Sequence, residues 1–434
     1  MKNKHLLIYA HYYHPDVAST GQILKELAEG MLSNFRITVI CVVPSYSGVI
    51  APQYQGEKYY FENINGVDVI RVRVPEFDKT RKNSRVKNIL TYFFRAMWAT
   101  RKVKEVDYVY SISQPPILGG LLGVWGKWMK HAKYIYNIQD FNPEQIIATG
   151  YSKNQMILNL MLWFDKFSCK HTNKVIVVGR DMVETLKRRF EGKDIPKYAF
   201  VNNWIDEKAI YPLELTDFHV TAFRKKYGLE NKFIFMYSGN LGLYYDLENL
   251  MRVIKKFPQE TKTADERDVV FAFVGDGSIR DKLVLYKDKN HMENVIFIPY
   301  QDKADLSYSL NAADVHWCVS AKGIKGVSVP SKLYGEIATG KPVLGVLENG
   351  AEARLIMEET QCGLVCEPGD YEQVDRNIRW FINHADDEEI STMGRRGREF
   401  LEKNLAKDVS VKKYIEEILS CGDHFEVNEQ KLGN

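Results

Sequence analysis

Short apolar runs rich in β-branched residues, alternating with helical periods, constrain this chain more than any other feature. From the N-terminus come LLIYA, ITVICVV, VDVIRVRV, DYVYSI, KYIYNI and KVIVV, with amphipathic stretches such as TGQILKELAEGML among them. Apolar strands separated by helices predict a parallel sheet covered on both faces. The alternation stops over YAFVNNWIDEKAIYPLEL, where Pro212 and polar residues predict a linker. It restarts with KFIFMYSG, VVFAFVG, NVIFIPY, DVHWCV and PVLGV. A chain of 434 residues with 45% hydrophobic content is too long for one core and too apolar for disorder, so two domains are expected. We expect an α/β protein with parallel-sheet domains over 1–210 and 215–399 facing a shared cleft, and residues 400–434 packing back onto the first.

Composition excludes several classes. A formal charge of +3 lacks the concentrated basic excess of a nucleic-acid binder, so no nucleic acid is expected as a partner. The cysteines at 41, 169, 318, 362, 366 and 421 have neither metal-site pairing nor a disulfide framework, which predicts free thiols in a reducing compartment. The start, MKNKHLLIYAHYYHPD, has an apolar run shorter than a signal-peptide core and reads as a first strand. ILGGLLGVWGKWM is too short and glycine-rich to span a bilayer. The expected location is cytoplasmic, at most peripheral to the inner face of the membrane.

Ligands of parallel sheets bind outside the carboxyl ends of the strands, so the loops that follow strands are the places to search. After the first strand, Thr20 and Gly21 open a helix, where small residues admit a substrate, although a plain strand-to-helix turn needs the same residues. His11 and His14 have no carboxylate or cysteine at helical spacing and read as ordinary core or surface histidines, so no metal site is expected. After KYIYNI, the loop QDFNPEQ offers Gln139, Asp140 and Glu144 to sugar hydroxyls, and a carboxylate there suits a developing oxocarbenium charge. A helix cap at Asp140 or Asn142 before Pro143 is the plainer reading of the same residues.

In the second half, YSGNLGLYYD places Gly239, Asn240 and Gly242 between a buried strand and a helix, as a pyrophosphate site requires. Gly275 and Asp276 end the next strand, and Pro299 and Tyr300 the one after, where a ring and backbone amides suit a flat base. None of these turns carries GxGxxG, which disfavours an oxidoreductase. The run GVSVPSKLYGEIATGKP predicts a small-residue loop with Val327 and Ser328, then a helix opened by Pro330 and closed near Gly340. Ser331 and Lys332 in its first turn suit an anion, with Tyr334 beside them. Gly335 inside the helix costs about 1 kcal/mol relative to alanine and calls for a packing or ligand reason. Lys332 and Glu336 stand one turn apart, but an exposed pair in this order contributes only about 0.3–0.5 kcal/mol. Anion binding by Lys332 and ribose binding by Glu336 is the stronger reading.

Residues 79 to 104 carry nine Lys or Arg and no acid, interleaved with aromatics. Lys82, Arg85, Lys87, Phe93, Phe94 and Trp98 therefore form the expected contact with an anionic membrane surface. A helix packing its apolar side on the sheet accounts for most of the same aromatics.

Together YSGNLG, FVGDGS, PSKLYGEIATGKPVLG and GLVCEPGD resemble the retaining glycosyltransferases of family 4, over nearly the whole chain. The similarity is greatest to the bacterial branch that builds capsule, O-antigen or exopolysaccharide units, including the N-acetyl-fucosamine transferase type. The resemblance implies the GT-B fold, two Rossmann-like domains, with a nucleotide-diphosphate sugar, UDP-linked, bound mainly by the second and a lipid-linked saccharide acceptor by the first. It implies no cofactor and no tightly bound metal, and a diphosphate held by Ser331, Lys332 and amides. The family's glutamate pair falls on Val327 and Gly335, its His-Asp on Gln139 and Asp140, and the lysine usual after YSGNLG is missing. The alternatives are a UDP-N-acetylglucosamine 2-epimerase on the same scaffold and a catalytically silent nucleotide-sugar binder.

Overall fold

The structure is a computed structural model that describes residues 4–16, 19–78, 81–148 and 150–422. The first sheet contains β1 (Lys4–Tyr9), β2 (Phe35–Val42), β3 (Tyr59–Ile64), β4 (Val67–Val72), β5 (Tyr108–Ile112), β6 (Lys133–Ile138), β7 (Lys174–Val177) and β8 (Tyr198–Phe200). Their spatial order is β3-β4-β2-β1-β5-β6-β7-β8. The second sheet, from β9 (Lys232–Ser238), β10 (Asp268–Val274), β11 (Val295–Ile298), β12 (Val315–Val319), β13 (Val343–Val346) and β14 (Gly363–Cys366), is ordered β11-β10-β9-β12-β13-β14.

Successive side chains on a strand point to opposite faces, so each sheet divides its apolar residues between two cores. Leu7 and Tyr9 join the core under the helices Lys82–Thr100 and Leu118–Lys130, while Leu6 and Ile8 join the one that also holds Val411, Tyr414 and Ile418 of the C-terminal helix Lys407–Leu419. In the second sheet Phe233, Phe235 and Tyr237 face one side and Ile234 and Met236 the other.

Two expectations about elements are corrected. Between ITVICVV and VDVIRVRV, where the apolar runs mark no strand, the chain holds β3, which pairs antiparallel with β4 in a sheet expected to be parallel. Its half-exposed side chains lack the apolar run that marks a central strand. The expected linker begins with β8, a three-residue parallel edge strand on β7.

In both sheets the strand order reverses at one point, between β1 and β5 in the first and between β9 and β12 in the second. Crevices at such reversals are where open α/β sheets take ligands. The loop after β12 is held against the first domain. Asp140 and Ser328 form an isolated antiparallel bridge, Phe141 N–H donates to Val327 O at 2.9 Å, and Gly326 N–H donates to Asp181 at 2.7 Å. Arg180 donates from its backbone N–H and its Nε to Glu352. The two crevices thus face each other across one cavity. Among the described residues no helix is long and apolar enough to cross a membrane.

Candidate active site

The cavity is lined from the first domain by Thr20, Gln114, Gln139, Asp140 and Asn203, and from the second by Asn240, Tyr245, Ser320, Ser328, Ser331 and Lys332. Thr20 Oγ1 donates to Gln114 Oε1 at 2.9 Å, tying the loops after β1 and β5 together. Gly21 sits where an added Cβ would lie 3.0 Å from Tyr12 O. Gln139 donates to Asn137 Oδ1 at 2.5 Å and accepts from Asn203 Nδ2 at 2.7 Å, so its amide is held by the sheet end. Ser113 Oγ accepts the backbone N–H groups of Gln139 and Asp140 at 3.1 and 3.2 Å. Burial raises the Asp140 pKa, opposed by hydrogen bonds from Ser328, Gln114 and Gln145.

Glu144 does not join this group. It forms an ion pair with Arg189, which also pairs with the buried Asp165 and donates to Asn142 O at 2.7 Å. The expected role on the sugar side is corrected: its carboxylate anchors a buried guanidinium beneath the loop. His11 is buried between the rings of Tyr12 and Tyr92, at 4.3 and 5.0 Å.

Lys332 is the cation of the site. Its Nζ donates to Tyr237 Oη at 2.6 Å and lies 3.0 Å from the centroid of the Tyr245 ring, an arrangement in which the ring face attracts the ammonium. Tyr237 Oη donates onward to Asn240 O at 2.7 Å. The YSGNLG turn makes room for this lysine: Gly239 has φ +139°, and a Cβ there would fall 2.5 Å from Lys332 Cε. Gly275, with φ +134°, lies against Gly239 O, and Asp276 O accepts Leu241 N–H at 2.9 Å. Gly242 closes the turn beside the Asn240 side chain. Burial pushes Lys332 down to about 7, with Glu336 pulling it back.

The helix runs over Lys332–Ala338 with Ser331 as its N-cap, so Pro330 precedes it, and the Ser331 side chain makes no cap bond. The Lys332–Glu336 pair is not an exposed one. Glu336 is 1% exposed with neither oxygen hydrogen-bonded, and burial pushes its carboxyl up to about 8. Val327 and Tyr334 are also buried. Gly335 has no crowding neighbour, since an added Cβ would meet only Leu310 Cδ1 at 3.6 Å. Of the two reasons expected for this glycine, packing is absent, which leaves the approach of a ligand. Pro299 and Tyr300 stand at the end of the edge strand β11, outside the group around Lys332, with Tyr300 well exposed.

Sequence reasoning passed over Gln114, Asn203, Ser320 and Tyr245. Tyr245 had a signal, two consecutive tyrosines directly after the glycine turn. Asn203 lay in the presumed linker. On the helix Lys82–Thr100, Arg85, Lys87, Phe94 and Trp98 are exposed, whereas Phe93 is half-buried against the first core and is corrected to a packing residue. The Lys82 side chain lies outside the described residues.

Two parallel-sheet domains whose strand-order reversals meet over one polar cavity define the GT-B fold. Residues 220–400 match the family model described as Glycosyl transferases group 1. The chain is 26% identical over 423 residues to the probable glycosyltransferase WbjE of Pseudomonas aeruginosa, covering 94% of this chain and 96% of that protein. It is 24% identical over 427 residues to the putative colanic acid biosynthesis glycosyl transferase WcaI of Escherichia coli strain K12, covering 95% and 99%. Anabaena Alr3699/HepE, solved in complex with UDP and glucose, superimposes with a TM-score of 0.67 at 14% identity, covering 96% of this chain and 100% of that one. At that identity the superposition speaks for the fold alone.

Proposed function

We propose that this protein transfers a sugar, with retention, from a UDP-linked donor to a lipid-linked saccharide during synthesis of a surface polysaccharide. The observation that carries the reading is Lys332, a cation held between two tyrosines where the reversal points of both sheets meet. The names of WbjE and WcaI support a glycosyltransferase, and the colanic acid biosynthesis in WcaI's name supports the pathway class; the UDP and glucose in the HepE complex make UDP the first donor to test.

Lys332 and Ser331 take the diphosphate. Arrival of that charge raises the lysine back into its protonated form, because a nearby anion favours the ammonium that burial disfavours. Asp140 faces the sugar and stabilises the positive charge that develops at the anomeric carbon. The acceptor hydroxyl attacks on the face from which the diphosphate departs. The new C–O bond forms as the old one breaks, the electron pair goes to the phosphate oxygen, and the hydroxyl proton passes to the departing diphosphate. No protein nucleophile is required. Arg85, Lys87, Phe94 and Trp98 bring the chain to an anionic membrane where the acceptor resides.

A thermal-shift screen of UDP-, GDP- and dTDP-sugars tests the donor, since a ligand that binds only the folded chain raises its stability. UDP-N-acetyl-fucosamine is the first to try. Lys332→Ala should lower turnover by about 10²–10³, the scale of losing one preorganised charge-stabilising donor. Turnover near that of the wild type would refute the assignment.

A further inference from the structure

The apolar surface of the first domain is wider than the basic helix Lys82–Thr100. On that helix Val86, Leu90, Phe94 and Trp98 are exposed at a spacing of four residues, forming one stripe. A second stripe runs along the helix Gln155–His171, where Met156, Leu160 and Trp163 are each more than half exposed, with Ile157 beside them. The helix Leu118–Lys130 lies between the two. Its Trp125 Nε1 donates to Met97 O at 3.3 Å on one side, and its Lys127 Nζ donates to His171 O at 2.8 Å on the other. Its Trp128, itself exposed, meets Phe167 at 6.1 Å between ring centroids. The three helices form one layer on one face of the first sheet.

This layer is poor in negative charge. The helices Lys82–Thr100 and Leu118–Lys130 contain no acid, and the only one in Gln155–His171 is Asp165, which is buried, accepts from Tyr136 Oη at 2.7 Å and pairs with Arg189. Lysines and arginines flank both stripes, among them Arg85 and Lys87 on one side and Lys153 and Lys170 on the other, all exposed. A surface with two apolar stripes, tryptophans at both and no exposed carboxylate on its helices suits a bilayer bearing anionic headgroups.

The topology also aims it. Helices that connect parallel strands run against the strand direction, so they begin at the carboxyl end of the sheet. The helices Lys82–Thr100 and Gln155–His171 follow β4 and β6, which puts Val86 and Met156 at the end of the layer nearest the cavity.

We infer that the helix Gln155–His171 is a second membrane-docking element. With Lys82–Thr100 it lays this face of the first domain on an anionic bilayer, with the acceptor side of the cavity at the edge of the contact. The inference rests on the lipid-linked acceptor proposed above and adds a new contact to it.

The test is co-sedimentation of the full chain with phosphatidylcholine vesicles, with and without phosphatidylglycerol. Leu160→Asp combined with Trp163→Ser is expected to weaken binding to the anionic vesicles about tenfold or more, as Phe94→Asp does on the other helix. Both sites are exposed, and an unchanged thermal midpoint checks the fold. A milder variant, Trp163→Phe, should bind normally and lose part of the tryptophan quenching caused by brominated lipid. If the Leu160/Trp163 variant binds like the wild type while Phe94→Asp does not, the second element is refuted and the membrane reading stands. If the wild type transfers sugar to a water-soluble acceptor but binds neither vesicle, both fall and the transferase reading stands. A concentration-dependent dimer lost in the Leu160/Trp163 variant, without vesicle binding, would assign the face to a second copy and overturn the inference.

Discussion

Replacing Gly335 with alanine is expected to stabilise the second domain. Gly335 lies inside the helix Lys332–Ala338 and is absent from the positions with positive φ, so alanine can adopt its backbone. The new Cβ would meet Leu310 Cδ1 at 3.6 Å, an ordinary van der Waals contact, and nothing closer. Removing an interior glycine returns about 1 kcal/mol of helix propensity, and a half-buried methyl adds about 0.4 kcal/mol. For a domain of about 200 residues, this total corresponds to an unfolding midpoint higher by about 3–6 °C. Differential scanning calorimetry and urea titration of the full chain both read it. The donor KM gives a second reading: if a ligand approaches this backbone closely, the variant gains stability and loses donor affinity together. A midpoint below that of the wild type would refute the packing argument, because it would require a crowded or strained glycine that the geometry does not contain.

Two further predictions concern buried charge. Arg189→Met leaves Asp165 and Glu144 without their guanidinium, and urea titration should show a loss of about 3–5 kcal/mol, the usual penalty for stranding half of a buried ion pair. A loss below about 1 kcal/mol would mean that Asp165 is solvated or neutral without cost. Glu336 has its carboxyl pushed from 4.5 up to about 8 by burial. Its contribution is therefore fully present below the unfolded value and lost as pH rises towards 8, where the unfolded chain has released a proton that the folded chain keeps. Glu336→Gln removes this dependence. Its stability advantage over the wild type should grow by about 3–4 kcal/mol between pH 5 and pH 8, since each unit of pH between the two values is worth about 1.4 kcal/mol. A pH-independent difference would show that the carboxylate is already ionised in the folded chain.

What could be read from the chain depended on how far the decisive contacts reach. The parallel sheets were legible because β-branched runs and helical periods are local, and the strand-end loops followed from them. β3 was hidden because its half-exposed residues at Tyr59–Ile64 resemble a loop in composition, and it becomes a strand only through pairing with β4. Phe93 and Phe94 are adjacent and equally aromatic, yet one packs inward and the other faces out, which depends on the rotation of a helix on its sheet. The Lys332–Glu336 pair looked exposed because spacing alone says nothing about what covers it. Tyr237 and Tyr245 come from the end of β9 and the turn that follows, and the space for the lysine exists only because Gly239 lacks a Cβ. YSGNLG and PSKLYGE, noted separately as two loops, are thus one device, in which the first supplies the aromatic walls and the gap and the second supplies the cation. Gly239→Ala should therefore disturb the site by displacing Lys332, whereas Gly335→Ala, in the same lysine's helix, should leave that cation in place.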